Sequence, residues 1–125
     1  MGSSREVILP DPEDIVDANW AHIHRTGGRF VPPDNLMHPD RLKWVLDAVR
    51  YPLGTHQLYP TVTEKASILG YTIVCGHVFH DGNKRTGLSV LQTMLVVNGF
   101  RFCGTDTDVI AMGLRLADTS PKFQS

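Results

Sequence analysis

Cysteine is scarce in this chain of 125 residues: Cys75 and Cys103 form neither a Cys-x-x-Cys pair nor a paired framework, and both stand among apolar neighbours. They read as reduced, buried thiols and exclude a disulfide-stapled scaffold. An excess of charge of one sign is also missing. Lys plus Arg number 12 against 13 for Asp plus Glu, and the net charge of -1 leaves no electrostatic footprint for nucleic acid or an anionic membrane. The N-terminus, Met1-Gly-Ser-Ser-Arg-Glu, lacks the apolar run of a signal peptide. Ser89, Gln92 and Thr93 interrupt the most hydrophobic segment well short of a bilayer span. These absences lead to the expectation of a soluble, cytoplasmic protein with no nucleic-acid or membrane partner. No internal repeat or low-complexity segment occurs. What remains is an apolar content of 42%, and a chain of this length buries roughly two-thirds of its unfolded surface in one core. A single domain over residues 1–125 is therefore expected.

Helix signals are legible along most of the chain. Asp11-Pro12-Glu13-Asp14 supplies an N-cap, a proline for the first helical position and first-turn acids, and the segment runs through Trp20 to stop at Gly27-Gly28. The Gly, Pro and Asn residues between 27 and 39 predict a loop. Pro39 then opens a helix whose Leu42, Val45, Leu46 and Val49 keep i, i+3, i+4, i+7 spacing. Tyr51 to Pro60 reads as an exposed loop with room for a short hairpin. Thr61-Val62-Thr63-Glu64 has the pattern of a capping box, and the helix it opens, apolar on most sides from Ala66 to Val74, is expected to lead directly into His77. A fourth helix is expected from Lys84 to a stop at Gly99, and a fifth, capped by Thr105-Asp106-Thr107-Asp108, ends near Ala117 before a frayed tail over 120–125. Helices apolar nearly all round belong in a core, so the segment joining the third and fourth is held between the two most buried elements.

That segment concentrates the chemistry. His77-Val-Phe-His-Asp81-Gly82-Asn83-Lys84-Arg85 gathers a base, a carboxylate, a turn and two cations into nine positions. An imidazole takes a proton near neutral pH, although a lone histidine at a helix end is most often a core residue. Asp81 suits a hard divalent cation that also leans on substrate phosphates, or simply the N-cap of the next helix. Gly82 and Asn83 suit the turn that opens that helix, where unpaired N–H groups and the positive end of the dipole attract anions. Lys84 and Arg85 oppose that dipole, at roughly 0.3–1 kcal/mol each when exposed, so an anion that neutralises them explains their placement better than a solvated face does. Phe79 reads as a ring that pins the loop into the core. His80 opens a rival reading, with His77-x-x-His80-Asp81 as zinc ligands. His22, His24, His38 and His56 are scattered and carry no assignment.

The run resembles the motif of the Fic/Doc superfamily, His-x-Phe-x-Asp/Glu-Gly-Asn, and looks closer to its death-on-curing (Doc) branch. Fic adenylyltransferases usually carry Gly where Lys84 stands and a second Arg where this chain has Leu88, whereas Gly82 is the Fic-like choice. Thr26-Gly27-Gly28, Leu58-Tyr59-Pro60, Glu64-Lys65-Ala66 and Asn98-Gly99-Phe100 follow in the order and rough spacing of Doc-like proteins, extending the likeness to about Ala117. The resemblance implies a mainly α fold, a compact single-domain helical bundle of about five to six helices with little or no β. It implies ATP and Mg2+ as cofactors, His77 as general base and Asp81 as metal ligand. Gly82, Asn83, Lys84 and Arg85 would bind the nucleotide, and Lys84 and Arg85 would also stabilise the phosphate in transfer. It further implies a toxin of a toxin-antitoxin pair that phosphorylates a threonine of elongation factor Tu and arrests translation. The alternatives are a Fic-type adenylyltransferase and a non-catalytic nucleotide- or phosphate-binding module. Fic proteins that restrain themselves carry a Ser/Thr-x-x-x-Glu-Gly/Asn helix, but Glu6, Glu13 and Glu64 are followed here by Val, Asp and Lys. A separate cognate antitoxin is therefore expected.

Overall fold

The computed structural model describes residues 6–52, 54 and 56–100. Four helices occur among them: α1 (Pro12–Thr26), α2 (Pro39–Arg50), α3 (Val62–Cys75) and α4 (Asn83–Val97). The expected count of five to six is thus four within the described residues, and the helix expected up to Ala117 lies outside them, as does Cys103. No strand occurs among the described residues, and an isolated bridge pairs Leu36 with Phe79 in antiparallel sense.

Each helix starts where its sequence signal stands. Asp11 caps α1 with Pro12 in its first turn, and Asp14 reaches back to accept the Asp11 N–H at 2.9 Å. Pro39 occupies the first position of α2. At α3 the capping box closes in both directions: Thr61 Oγ1 accepts the Glu64 N–H at 3.0 Å and Glu64 Oε1 accepts the Thr61 N–H at 3.3 Å. α4 begins one residue before Lys84.

Helices α3 and α4 form the most extensive pair and carry the core. Ile68, Leu69 and Ile73 of α3 and Leu91 and Met94 of α4 are buried together with Ile15 of α1, Val45 and Val49 of α2, and Val78 and Phe79 of the α3–α4 connection. The crossing is closest at Gly70 and Gly87. A Cβ on Gly87 would stand 2.8 Å from the Gly70 carbonyl oxygen and 2.5 Å from Val74 Cγ2, so only a hydrogen fits there. This close approach draws the end of α3 toward the start of α4, the ground on which the motif stands. Cys75 departs from expectation. It is exposed at the last position of α3, and the protein around it pushes its thiol pKa up through desolvation. The apolar contacts at this end of the helix are made by Ile73 and Val74 instead.

Candidate active site

The α3–α4 connection is pinned at several backbone groups. α3 stops at Cys75 with Gly76 as its C-cap, so His77 does not continue the helix as the sequence pattern had implied. It adopts a left-handed conformation, φ 50°, that histidine enters uncommonly, and its side chain is exposed. From there the chain alternates. Val78 and Phe79 turn into the core at 0% and 1% exposure, while His80 is half-buried and Asp81 exposed. Phe79 thus has the anchoring role its ring suggested.

The polar groups of the connection are met from several elements. The Val78 carbonyl accepts the N–H groups of Met37 at 2.7 Å and His38 at 3.1 Å, and the His80 N–H donates to the Asn35 carbonyl at 2.9 Å. Asn83 closes a ring on Phe79: its Oδ1 accepts the Phe79 N–H and its Nδ2 donates to the Phe79 carbonyl, both at 2.8 Å. The amide side chain of Asn83 is therefore spent on the loop, and its backbone N–H is what it can offer an anion. Below, Asn19 Nδ2 donates to the Asp81 carbonyl at 2.9 Å and to Thr86 Oγ1 at 3.2 Å. Asn35 Nδ2 in turn donates to Asn19 Oδ1 at 2.9 Å. Asn19, Asn35 and Thr86 are all fully buried, where an unmet polar group costs about 1–3 kcal/mol. This network fixes the position of Asp81. Arg41 from α2 donates to the Gly76 carbonyl and secures the other end of the connection.

The Asp81 carboxylate receives two backbone N–H groups, Arg29 to Oδ2 at 2.7 Å and Gly82 to Oδ1 at 2.8 Å. These bonds, Arg29's first, hold its pKa below the ordinary 3.8, so it is ionised near neutral pH. Gly28 is needed for this approach, because a Cβ there would lie 2.9 Å from Asp81 Oδ2. Gly82, rather than Asp81, is the N-cap of α4, in the left-handed region at φ 78° and with no side chain to accept from the first turn. Asn83 follows as the first helical residue, and then Lys84 and Arg85, both exposed.

His77, Asp81, Gly82, Asn83, Lys84 and Arg85 all line one cleft of about 590 Å³, within the usual range for a small-molecule site. No group of three or more His, Cys, Asp or Glu that could hold a metal occurs among the described residues, so His77, His80 and Asp81 do not assemble as a zinc centre. A single ionised carboxylate is a different proposition. Mg2+ is commonly held by one or two carboxylates with water and substrate phosphates, and Asp81 fits that mode.

A model of the Fic/DOC family matches residues 9–95. The chain belongs to the Fic/DOC family. Fic/DOC proteins are typically transferases that act on proteins, and the motif connection lies wholly inside the matched span. No curated protein and no solved structure matches the chain. No helix among the described residues is long and apolar enough to cross a membrane.

Several contributors were missed in the sequence reading. Asn19 had a signal: with Ile15 and Ile23 it forms the buried stripe of α1, and a polar residue on an apolar face implies a buried partner. Asn35, one residue of a Pro-Pro-Asp-Asn loop, carried none. The N–H of Arg29 is a backbone group that any residue but proline would supply.

Proposed function

We propose that this Fic/DOC protein is a Doc-type toxin that transfers the γ-phosphate of ATP to a hydroxyl side chain of a target protein. By resemblance the target is a threonine of elongation factor Tu, and the outcome is arrested translation in the cytoplasm. The observation that carries the reading is the start of α4, an uncapped first turn bearing Lys84 and Arg85 that opens into the same cleft as His77 and Asp81. Lys84 in place of the Fic glycine, and Leu88 in place of the second Fic arginine, favour a nucleotide seated with its γ-phosphate, rather than its α-phosphate, toward the base.

In this mechanism His77 accepts the proton of the target hydroxyl as the oxygen attacks. A bond forms from that oxygen to the γ-phosphorus, the bond from the γ-phosphorus to the β,γ-bridging oxygen breaks, and ADP leaves with its electron pair. The backbone N–H groups at the start of α4 and the side chains of Lys84 and Arg85 face the charge that develops on the phosphoryl oxygens. Asp81 would hold Mg2+, which when bound supplies charge neutralisation at the phosphates. The left-handed backbone of His77 and the clamped Phe79 keep the imidazole at the rim without rearrangement. A separate antitoxin covering the cleft or a neighbouring groove would restrain the protein in the cell.

The test is to incubate the full chain with Mg2+ and ATP and candidate target proteins and to weigh the products by mass spectrometry. A gain of one phosphate supports the reading. A gain of AMP moves the protein to the adenylyltransferases, the second reading, which Gly82 favours as the Fic-type residue of the turn. No modification, together with unaltered toxicity of His77→Ala and Asp81→Ala, leaves the cleft as a nucleotide- or phosphate-binding module.

A further inference from the structure

We propose that His22, on the α1 wall of the cleft, is a polyphosphate-contacting residue that donates its Nε2–H to an anionic oxygen of the bound nucleotide. The inference rests on the nucleotide reading above and adds a contact from outside the motif.

His22 lines the same cleft as His77, Asp81 and Arg85, carried there by a different helix. Its tautomer follows from its neighbour. Arg25 Nη2 lies 3.2 Å from His22 Nδ1, and a guanidinium has donors and no acceptor, so Nδ1 must be the accepting nitrogen. The proton of the neutral ring then sits on Nε2, which becomes a donor. Partial burial, followed by the positive charges of Arg25 and Arg85, pushes the pKa of His22 down, so the ring is neutral near pH 7 and acts as a hydrogen-bond donor rather than as a third cation. Asp81 is the one carboxylate among the described residues that line the cleft. An anion entering between α1 and α4 therefore meets the Nε2–H from one side and the cationic first turn of α4 from the other. Thr26 Oγ1 donates to the His22 carbonyl at 2.7 Å, which steadies the last turn of α1 beneath the ring.

The experiment is calorimetric titration of the wild-type chain, His22→Ala and His22→Gln with ATP in the presence of Mg2+, and with adenosine as the phosphate-free probe. Loss of a hydrogen bond to a charged group is expected to raise the Kd for ATP by about tenfold in His22→Ala. His22→Gln, whose amide N–H reaches about as far as Nε2, is expected to recover most of it. Adenosine binding is expected to be equal in all three. An unchanged ATP affinity in His22→Ala, an equal loss for adenosine, or no rescue by glutamine overturns the assignment while leaving the nucleotide reading standing. Failure of the wild-type chain to bind ATP at all overturns both.

Discussion

Helices α3 and α4 start in opposite ways. Thr61 and Glu64 close the first turn of α3 on itself, with an acid where the dipole favours one. Gly82 opens α4 with no side-chain cap, and the first turn carries Lys84 and Arg85 and no acid. One start is finished for stability, while the other has no side-chain acceptor for its first turn and adds charge of the unfavourable sign. Both lie on the most extensively packed pair of helices, so the difference is not one of packing. An arrangement that costs stability in isolation and is nonetheless held by a dense network of hydrogen bonds is what the proposed anion-binding turn would require.

The largest effect that separates the two starts is chemical. His77→Ala, next to the α4 start, is expected to lower the rate of target modification by about 10²–10⁴-fold with the far-ultraviolet circular dichroism and melting temperature close to wild type, because the side chain is exposed. Thr61→Ala, at the α3 start, is expected to leave the rate unchanged. A His77→Ala enzyme with full activity would mean that the base lies elsewhere.

Stability sharpens the contrast next. Asn83→Ala removes both clamps on Phe79 and leaves its N–H and carbonyl unmet, for an expected loss of about 1–3 kcal/mol in urea denaturation and a fall in activity as the loop loosens. Thr61→Ala is expected to lose roughly 1 kcal/mol, the usual worth of a hydroxyl cap. If the two variants lost stability equally and neither lost activity, Asn83 would be a mere helix-start residue.

The two starts also differed in how far they could be read from sequence. Pro12, Pro39 and the Thr61–Glu64 pair act within a turn of themselves, so the beginnings of α1, α2 and α3 were legible. The motif was legible as a family signature, and the match over residues 9–95 shows that family. The partners that hold the motif were not, although the place of Asn19 on the apolar face of α1 marked it as buried. Asn19 and Asn35 reach Asp81 across sequence separations of 62 and 46 residues, and Arg29 contributes a main-chain N–H that its side chain does not advertise. The exposed place of Cys75 was misread because apolar neighbours in sequence face a different side of the helix.

A smaller effect has the opposite sign for stability and for function. Arg85→Gln removes a cation from the positive end of α4, so the unliganded protein is expected to gain roughly 0.3–1 kcal/mol, read as a raised midpoint in thermal melts without nucleotide. The same variant is expected to bind ATP more weakly and to modify its target more slowly. A loss of unliganded stability would show that Arg85 supports the fold, and the trade between stability and charge proposed for this turn would fail.

The smallest effect concerns the join between the loop at Arg29 and the α4 start. The Asp81 carboxyl has a folded pKa below 3.8, chiefly through the Arg29 N–H and then the Gly82 N–H. A depressed folded value means that its contribution is fully present above pH 3.8 and is lost as pH falls through the folded pKa. Because the carboxylate is exposed, solvent screens the contribution and it is small. Other carboxylates titrate in the same range, so the quantity to follow is the difference in urea midpoint between wild type and Asp81→Asn from pH 6 down to pH 2. That difference is expected to be constant to about pH 4 and to shrink below it, as the protonated acid ceases to attract the two N–H donors. A difference that stays flat throughout would mean that Arg29 and Gly82 hold residue 81 no better as a carboxylate than as an amide. The depressed pKa would then reflect no real tether between the α1–α2 loop and the start of α4.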